Sequence, residues 1–148
     1  MTKDVLVTIK GVQSLEDIEE QEDVEVVAKG DYYYRNGHHF IMFDEMSDED
    51  YQTTKNTIKI TEKSVEVRRK GAANVQMIFE ENKKNLTYYA TPFGNLQMAV
   101  AATKIDFKEK EESLDLIIDY ALEINSQHAA DCQISLCVRP KAEGCFSL

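Results

Sequence analysis

The sequence lacks several features that would point directly to a function. It contains no long apolar run, no P-loop and no GxGxxG motif. A membrane-spanning helix needs about 20 consecutive apolar residues, and a signal sequence also needs an apolar block. We therefore expect a cytoplasmic protein that does not contact membranes. Without a glycine-rich phosphate loop, we expect no nucleotide-binding site of the usual kinds.

Basic residues are also outnumbered by acidic ones. The chain has 17 lysines and arginines against 27 aspartates and glutamates, which gives a net charge of −10. Such a surface repels the phosphates of nucleic acids. The cluster of Arg68, Arg69 and Lys70 is too short to reverse this field. We therefore expect no nucleic-acid partner.

Cysteine and histidine are too few and too badly spaced for a metal site. The three cysteines are Cys132, Cys137 and Cys145, an odd number that argues against a disulfide framework. Cys132 falls in the apolar register and is predicted to be a core residue. His38 and His39 are neighbours, so on a strand they face opposite ways. We expect no metal and no other cofactor, and we find no catalytic motif that would indicate an enzyme.

A two-residue rhythm of apolar side chains runs through most of the chain. Residues 115–124 show it most clearly, with a large apolar side chain at every second position. This period is typical of a strand with one wet and one buried face. About nine such runs follow one another without a long helical pattern. The sequence therefore predicts an all-β, antiparallel protein.

The order of runs and turns favours an up-and-down β-barrel, although a sandwich also satisfies the pattern. Asn36 and Gly37 predict a tight hairpin. Gly30 and the alanine-rich residues 96–107, where we expect a bulge or bend, favour the barrel as sites of curvature. Acidic residues 16–23 and 44–50 are predicted to be solvated loops. We expect one barrel domain over residues 1–139 and a flexible tail over residues 140–148.

Several short motifs, in this order and spacing, resemble a YwiB-like family of uncharacterised bacterial β-barrel proteins. The similarity spans residues 5–138. The residues that carry it are Gly30, Tyr32, Tyr33, Phe43, Asp44, Glu45, Arg69, Lys70, Gly71, Ala72, Phe79, Tyr89, Phe93, Gly94, Leu96, Leu116, Ile118, Tyr120, Leu122 and Ile124.

This resemblance implies a calycin-like (lipocalin-like) barrel of about eight strands, an architecture shared with proteins that hold small apolar ligands. It implies no activity and no catalytic residues. Because one fold hosts many functions, ligand binding does not follow from the architecture alone.

Arg69 is the most informative single candidate. By register it shares a face with Val65 and Val67, so it is predicted to point inward or to lie at a barrel mouth. A buried guanidinium must be paired, because desolvating an unpaired ion costs several kcal/mol. The main interpretation is a structural ion pair. The alternatives are a clamp for a ligand carboxylate or phosphate, or a shifted register with Arg68 inside.

Three functional hypotheses remain at this point. The first is a small, partly apolar or amphipathic ligand inside the barrel, with Arg69 as polar anchor and lining candidates Val24, Val26, Tyr32, Val67, Met98, Ile118 and Tyr120. The second is a solid barrel that acts as a protein-protein interaction module. The third is an enzyme that uses Arg69 and a tyrosine at a barrel mouth. A solvent-connected cavity of at least about 300 Å³ would favour the first hypothesis.

Overall fold

The computed structural model describes residues 4–15, 21–46, 53–71, 74–91 and 94–140, with all side chains in these ranges except those of residues 12–15, 21–24, 46 and 89–91. The described residues form ten β-strands. The first five are β1 (Asp4–Leu15), β2 (Gln21–Arg35), β3 (His38–Met46), β4 (Thr53–Ile60) and β5 (Val65–Lys70). The others are β6 (Val75–Phe79), β7 (Lys83–Thr91), β8 (Gly94–Lys110), β9 (Ser113–Ile124) and β10 (Gln127–Pro140).

The strands form one antiparallel sheet that curls into a nearly closed barrel. Its order is β6-β5-β4-β3-β2-β1-β10-β9-β8-β7, so β1 and β10 pair along their length and β6 and β7 are the two edges. The turn between these edges bonds to β8, where the Asn82 amide donates to the Ala102 carbonyl oxygen at 2.7 Å. The Asn85 side chain also donates to the Ile78 carbonyl oxygen at 2.9 Å.

The predicted antiparallel barrel is therefore confirmed, with ten strands instead of about eight. The number is higher because each short alternating run, including the five-residue β6, forms a strand of its own. No helix long and apolar enough to cross a membrane occurs among the described residues.

Alternation sorts the side chains as the sequence predicts. Ile118 is 1% exposed in the core, Val67 packs against the same core, and their neighbours Asp119 and Glu66 point to the outer face. Cys132 is buried, as expected. The largest fully buried side chains are Phe79, Ile41, Ile60, Leu114, Leu116, Ile118, Val5, Val7, Val65, Val100 and Val138. These side chains fill the centre of the barrel.

The glycine, turn and bulge that were expected to curve and connect the strands lie where the sequence predicted them. A Cβ atom at Gly30 would lie 2.6 Å from the Met42 carbonyl oxygen, so only glycine allows β2 and β3 to approach this closely. Asn36 and Gly37 have φ values of 55° and 80°, which confirms the hairpin turn. A register shift between Ala102 and Lys104 confirms the bulge expected within residues 96–107.

The acidic loops are shorter than predicted. Residues 21–23 belong to β2 and residues 44–46 to β3. Both segments are extended because neighbouring strands pair with their backbone, as in the pairs Gln13–Glu22 and Asp44–Lys55. Pro140, placed in the tail by the sequence, is the last residue of β10 and pairs with Val5. Residues 16–20, 47–50 and 141–148, with Cys145, lie outside the described residues.

Candidate functional site

A cavity of about 730 Å³ opens at one end of the barrel. We call it the mouth pocket. Three turns surround it: β2–β3 with Gly37, β4–β5 with residues 61–64, and β6–β7 near Glu81. The end of β8 completes its wall. The pocket is bounded by elements that are far apart in sequence, so barrel closure creates it.

The floor of the mouth pocket is apolar. Ile60 and Val65 face each other across the β4–β5 ladder and are each 1% exposed. Ile105 and Phe107 of β8 lie on the opposite side of the pocket. Ile105 and Phe107 are half-buried and supply the apolar surface that a ligand could cover, and burial of such a surface is favourable.

The bulge in β8 explains why Phe107 reaches this pocket. Before the bulge Ala102 pairs with Tyr120, and after it Ile105 pairs with Ile118. Inward positions therefore change from even to odd residue numbers, because the extra residue Thr103 shifts the alternation. Phe107 and Glu109 consequently point into the barrel mouth.

His39 lies beneath the pocket entrance and is 6% exposed. Its Nδ1 atom is 2.8 Å from the Tyr32 hydroxyl oxygen, a buried hydrogen bond between β2 and β3. Its Nε2 atom is 3.6 Å from Glu109 Oε1. The rings of Tyr34 and Phe107 meet the imidazole edge-on, at centroid distances of 4.9 and 5.2 Å. One histidine thus connects a phenol, a carboxylate and two aromatic rings.

The protonation of this group follows from burial. Burial lowers the pKa of His39 below its usual 6.5, Glu109 opposes this shift and His38 adds to it. Burial, followed by Glu109 and Tyr34, raises the pKa of Tyr32 above 10.0. At neutral pH the imidazole is therefore uncharged and the phenol is protonated.

The Glu109 carboxylate favours the tautomer with its proton on Nε2 of His39. In that tautomer the Tyr32 hydroxyl donates to Nδ1. The 3.6 Å separation is too long for a hydrogen bond between Nε2 and Glu109. Because His39 and Glu109 both line the mouth pocket, an acceptor oxygen of a ligand bound there could receive a hydrogen bond from Nε2–H.

The rim of the mouth pocket is charged and mainly acidic. Its charged residues are Glu62, Glu80, Glu81, Glu109, Lys63 and Lys83. Lys83 pairs with Glu80 at 3.5 Å, and Glu81 accepts a hydrogen bond from the Ile105 amide at 3.1 Å. Four carboxylates against two ammonium groups give the rim a negative excess.

Comparison with known proteins gives the family and the fold. The model of a family described as "Domain of unknown function (DUF1934)" matches residues 7–136. The chain belongs to the DUF1934 family. It is 24% identical over 127 residues to the uncharacterized β-barrel protein YwiB of Bacillus subtilis (strain 168), covering 86% of this chain and 88% of that protein.

A solved structure shows the same architecture. The crystal structure of the ywiB protein from Bacillus subtilis superposes with a TM-score of 0.79 at 22% sequence identity, covering 93% of this chain and 92% of that one. At this identity the likeness establishes the fold. The resemblance found in the sequence is confirmed, and the YwiB protein carries no enzymatic name.

The DUF1934 barrel distributes the predicted lining residues over several environments. Tyr32 is buried and bonded to His39, whereas Ile118 and Val67 belong to the packed interior. Tyr120 packs against Phe79 with ring centroids 4.8 Å apart, and burial raises the pKa of its phenol. None of these four side chains lines the mouth pocket.

The remaining candidates lie elsewhere in the barrel. Met98 is half-buried on β8, where it pairs with Thr87 and Ile124. Val26 packs against the core, and the side chain of Val24 lies outside the described ones. Among the side chains that the structure describes, the predicted set therefore does not line one cavity.

Arg69 lies at an edge of the barrel, away from the mouth pocket. Its register is as predicted, since it pairs with the buried Asn56, but its side chain is 44% exposed. It forms an ion pair with Glu45 at 3.6 Å, and Glu45 also accepts a hydrogen bond from Asn56 at 3.1 Å. Arg69 lines a separate groove of about 310 Å³.

Sequence reasoning considered His39 only for a metal site and set it aside, and it did not consider Glu109. The signal for His39 was its register: it shares a face with Ile41 and Phe43, both buried. Among the described residues no group of three or more histidines, cysteines and carboxylates could hold a metal ion. What this site can do chemically is to bind, orient and exchange hydrogen bonds.

Proposed function

We propose that this DUF1934 protein binds a small, partly apolar molecule of neutral or positive charge in the mouth pocket. The observation that carries the proposal is the combination of one solvent-connected cavity, an apolar floor and the polar group around His39. Ligand sites typically measure about 300–1,000 Å³ and pair apolar walls with a few placed polar groups. A cavity of about 730 Å³ lies within that range.

The mouth is favoured over the interior because core side chains occupy the centre of the barrel. Phe79, Ile41 and Leu114 are each no more than 1% exposed. A ligand at the mouth would instead lie on Ile105 and Phe107 and reach the Nε2–H group of His39 with an acceptor oxygen. Tyr34, which is 59% exposed beside the pocket, would cover it from the solvent side.

The charge of the rim supports the ligand class. The excess of glutamates and the Glu109 carboxylate beside His39 would repel an anionic ligand. They would not repel a cationic or neutral one. The earlier expectation of a ligand carboxylate held by Arg69 does not apply to this pocket, because Arg69 lines another groove.

Binding without a catalysed reaction is the simpler assignment. The enzyme hypothesis placed Arg69 and a tyrosine at one barrel mouth, but Arg69 lines a different groove from the mouth pocket with its Tyr34. Among the described residues no hydrogen bond joins His39 to a serine or cysteine nucleophile, which nucleophilic catalysis would require.

Three fluorescent dansyl probes of different charge test the proposal. Dansylcadaverine is cationic, dansylamide is neutral and dansylglycine is anionic. We expect saturable fluorescence enhancement with the first two and weaker binding of dansylglycine. Tyr34→Ala should weaken binding severalfold, because it removes an aromatic wall of the pocket.

Tyr33→Ala is the matched control. Tyr33 is 40% exposed in the same strand but points to the opposite face, where it stacks on Phe40. Equal effects of the two alanine variants, or preferential binding of dansylglycine, would contradict the mouth-pocket proposal. Native mass spectrometry of freshly purified protein would then show whether a ligand of another class copurifies.

A further inference from the structure

The mouth pocket contains a carboxylate without a cationic partner. Glu109 lines the pocket, and its side chain is 56% exposed. Among the described residues no lysine or arginine forms an ion pair with it. Its chain neighbours Lys108 and Lys110 lie on the outer face of β8, where Lys110 pairs with Asp115 at 3.8 Å. The negative charge of Glu109 therefore acts on the pocket.

The neighbouring histidine does not neutralise this charge. Nε2 of His39 is 3.6 Å from Glu109 Oε1, but burial lowers the pKa of His39, so the imidazole is uncharged at neutral pH. After burial, Glu109 is the second cause that raises the pKa of the Tyr32 phenol. The field of the carboxylate thus reaches the buried groups behind the pocket, and a bound cation would balance it.

The other glutamates of the rim are placed differently. Glu80 already pairs with a lysine at 3.5 Å, and Glu81 accepts a hydrogen bond from the Ile105 amide at 3.1 Å. Among the described residues Glu109 is the one carboxylate within 4 Å of His39. A ligand that reaches Glu109 therefore meets an anionic acceptor and an N–H donor side by side.

The spacing of this acceptor and this donor restricts the ligand. Glu109 Oε1 and Nε2 of His39 are 3.6 Å apart. A ligand that binds both needs a cationic donor and an oxygen acceptor that are about equally close together. The nitrogen and oxygen of a vicinal amino alcohol are attached to neighbouring carbon atoms and meet this requirement. Its amine is protonated at neutral pH, as the lysine side chain is.

The walls around this pair suit an organic cation better than a bare ion. The rings of Tyr34 and Phe107 lie 4.9 and 5.2 Å from the His39 imidazole, measured between centroids. Aromatic rings attract a nearby cation. Ile105 and Phe107 are half-buried and would cover the apolar part of the same molecule. A metal ion would use the carboxylate but none of this apolar surface.

We propose that the mouth pocket selects a vicinal amino alcohol carried on an apolar body. The ammonium group would pair with the Glu109 carboxylate, and the hydroxyl oxygen would accept from Nε2–H of His39. The apolar body would lie on Ile105 and Phe107. This inference rests on the proposed function, because it names the ligand class of the same pocket.

Four small compounds with one phenyl ring each test the proposal by nuclear magnetic resonance titration of the backbone amides. The compound 2-amino-1-phenylethanol carries both groups, 1-phenylethanol lacks the amine, and 2-phenylethylamine lacks the hydroxyl. Mandelate replaces the aminomethyl group by a carboxylate. We expect the amino alcohol to bind about fivefold more tightly than 1-phenylethanol, which corresponds to about 1 kcal/mol. It should bind about threefold more tightly than 2-phenylethylamine, and mandelate should bind most weakly.

Glu109→Gln is the decisive variant, since it removes the charge and keeps the size of the side chain. It should abolish the advantage of 2-amino-1-phenylethanol over 1-phenylethanol. Glu111→Gln is the matched control. It removes the same charge two residues away, at an exposed side chain that does not line the pocket. The control should keep the full preference for the amino alcohol, and both variants should melt cooperatively.

Three results would overturn the inference. They are an absence of saturable binding of the amino alcohol, equal affinities of the amino alcohol and 1-phenylethanol for the wild type, or equal losses in the two glutamine variants. If dansylamide still binds and responds to Tyr34→Ala, the mouth pocket is retained and only the amino alcohol assignment is wrong. If the dansyl probes also fail to bind, the proposed function is wrong as well.

Discussion

The hydroxyl of Tyr32 lies 2.8 Å from Nδ1 of His39, and this bond joins β2 to β3 beneath the mouth pocket. The two residues stand diagonally across the ladder, since Tyr32 pairs with Ile41 and His39 pairs with Tyr34. Both are under one-tenth exposed, so neither polar group can exchange its partner for bulk water. The bond thus fixes the orientation of the one imidazole that faces the pocket.

Replacing Tyr32 by phenylalanine should destabilise the protein by about 1–3 kcal/mol, because it leaves the buried Nδ1 atom without a partner. Chemical denaturation measures this change. The control Tyr33→Phe removes an exposed bond to the Met42 sulfur and should cost less than about 0.5 kcal/mol. Equal costs for the two variants would show that His39 finds another partner.

Stability should fall as the pH decreases below about 6.5, in part through His39. Its folded pKa is lowered by burial, so the unfolded chain binds the proton more readily. The stabilisation is complete above the unfolded pKa of about 6.5 and is lost as the pH falls toward the folded pKa.

The comparison of wild type with His39→Gln isolates this contribution from that of the carboxylates, which titrate in both proteins. Between pH 7.5 and 5.5 the wild type should lose more unfolding free energy than the variant. The same slope in both proteins would refute a lowered pKa at His39, and nuclear magnetic resonance titration of the imidazole would provide the direct value.

Gly30→Ala should destabilise the barrel by about 1–3 kcal/mol, the usual cost of inserting an extra group into a tightly packed place. The new Cβ atom would lie 2.6 Å from the Met42 carbonyl oxygen and 3.1 Å from a methyl carbon of Val7. Gly11→Ala is the control, since nothing lies within 4 Å of a Cβ atom there. Thermal melts of the two variants should differ by several degrees, and a neutral Gly30→Ala would mean that β2 and β3 can separate at no cost.

Arg69→Met should leave a cooperative melt and change the unfolding free energy by less than about 1 kcal/mol, as is usual for exposed ion pairs. The side chain of Arg69 is 44% exposed and its contact with Glu45 is 3.6 Å long. Dansylcadaverine binding should be unaffected. Loss of the cooperative transition would instead identify Arg69 as an essential structural ion.

The barrel was predicted correctly from the sequence because a strand can be recognised from the alternation of its own residues. The alternation of Leu116, Ile118 and Tyr120 already separates two faces, and the structure places these side chains inside. Asn36 and Gly37 predict their turn because both residues tolerate a positive φ, which they adopt in the structure. Such signals need no knowledge of the partner strand.

The mouth pocket was missed because it depends on register across the sheet. Continuing the even-numbered alternation of β8 would have placed Glu109 outside, and only the extra residue at Thr103 turns it inward. The apolar pattern changes parity at this point, from Val100 and Ala102 to Ile105 and Phe107, which was the available signal. The neighbourhood of His39 also required the distant β8, which no local pattern reveals.

Arg69 shows the opposite limit. Its position on the inner face was predicted correctly. Alternation predicts which face of the sheet a side chain lies on, but it does not predict how deeply that side chain is buried. β6 begins opposite Arg69, at Val75, so the guanidinium meets solvent where the sheet ends. Where a strand ends relative to its neighbours is set by ladder lengths that sequence alone does not supply.

The pairing of β1 with β10 has a consequence for how the molecule assembles. This ladder joins Val5 to Pro140, so the contact that completes the curled sheet links residues almost a whole chain length apart. Contacts between such distant segments form late and slow folding, because a large loop must close first. During synthesis, β1 must therefore wait with one unpaired side until the ribosome has released β10, and this interval is when a nascent chain is most exposed to association with other chains.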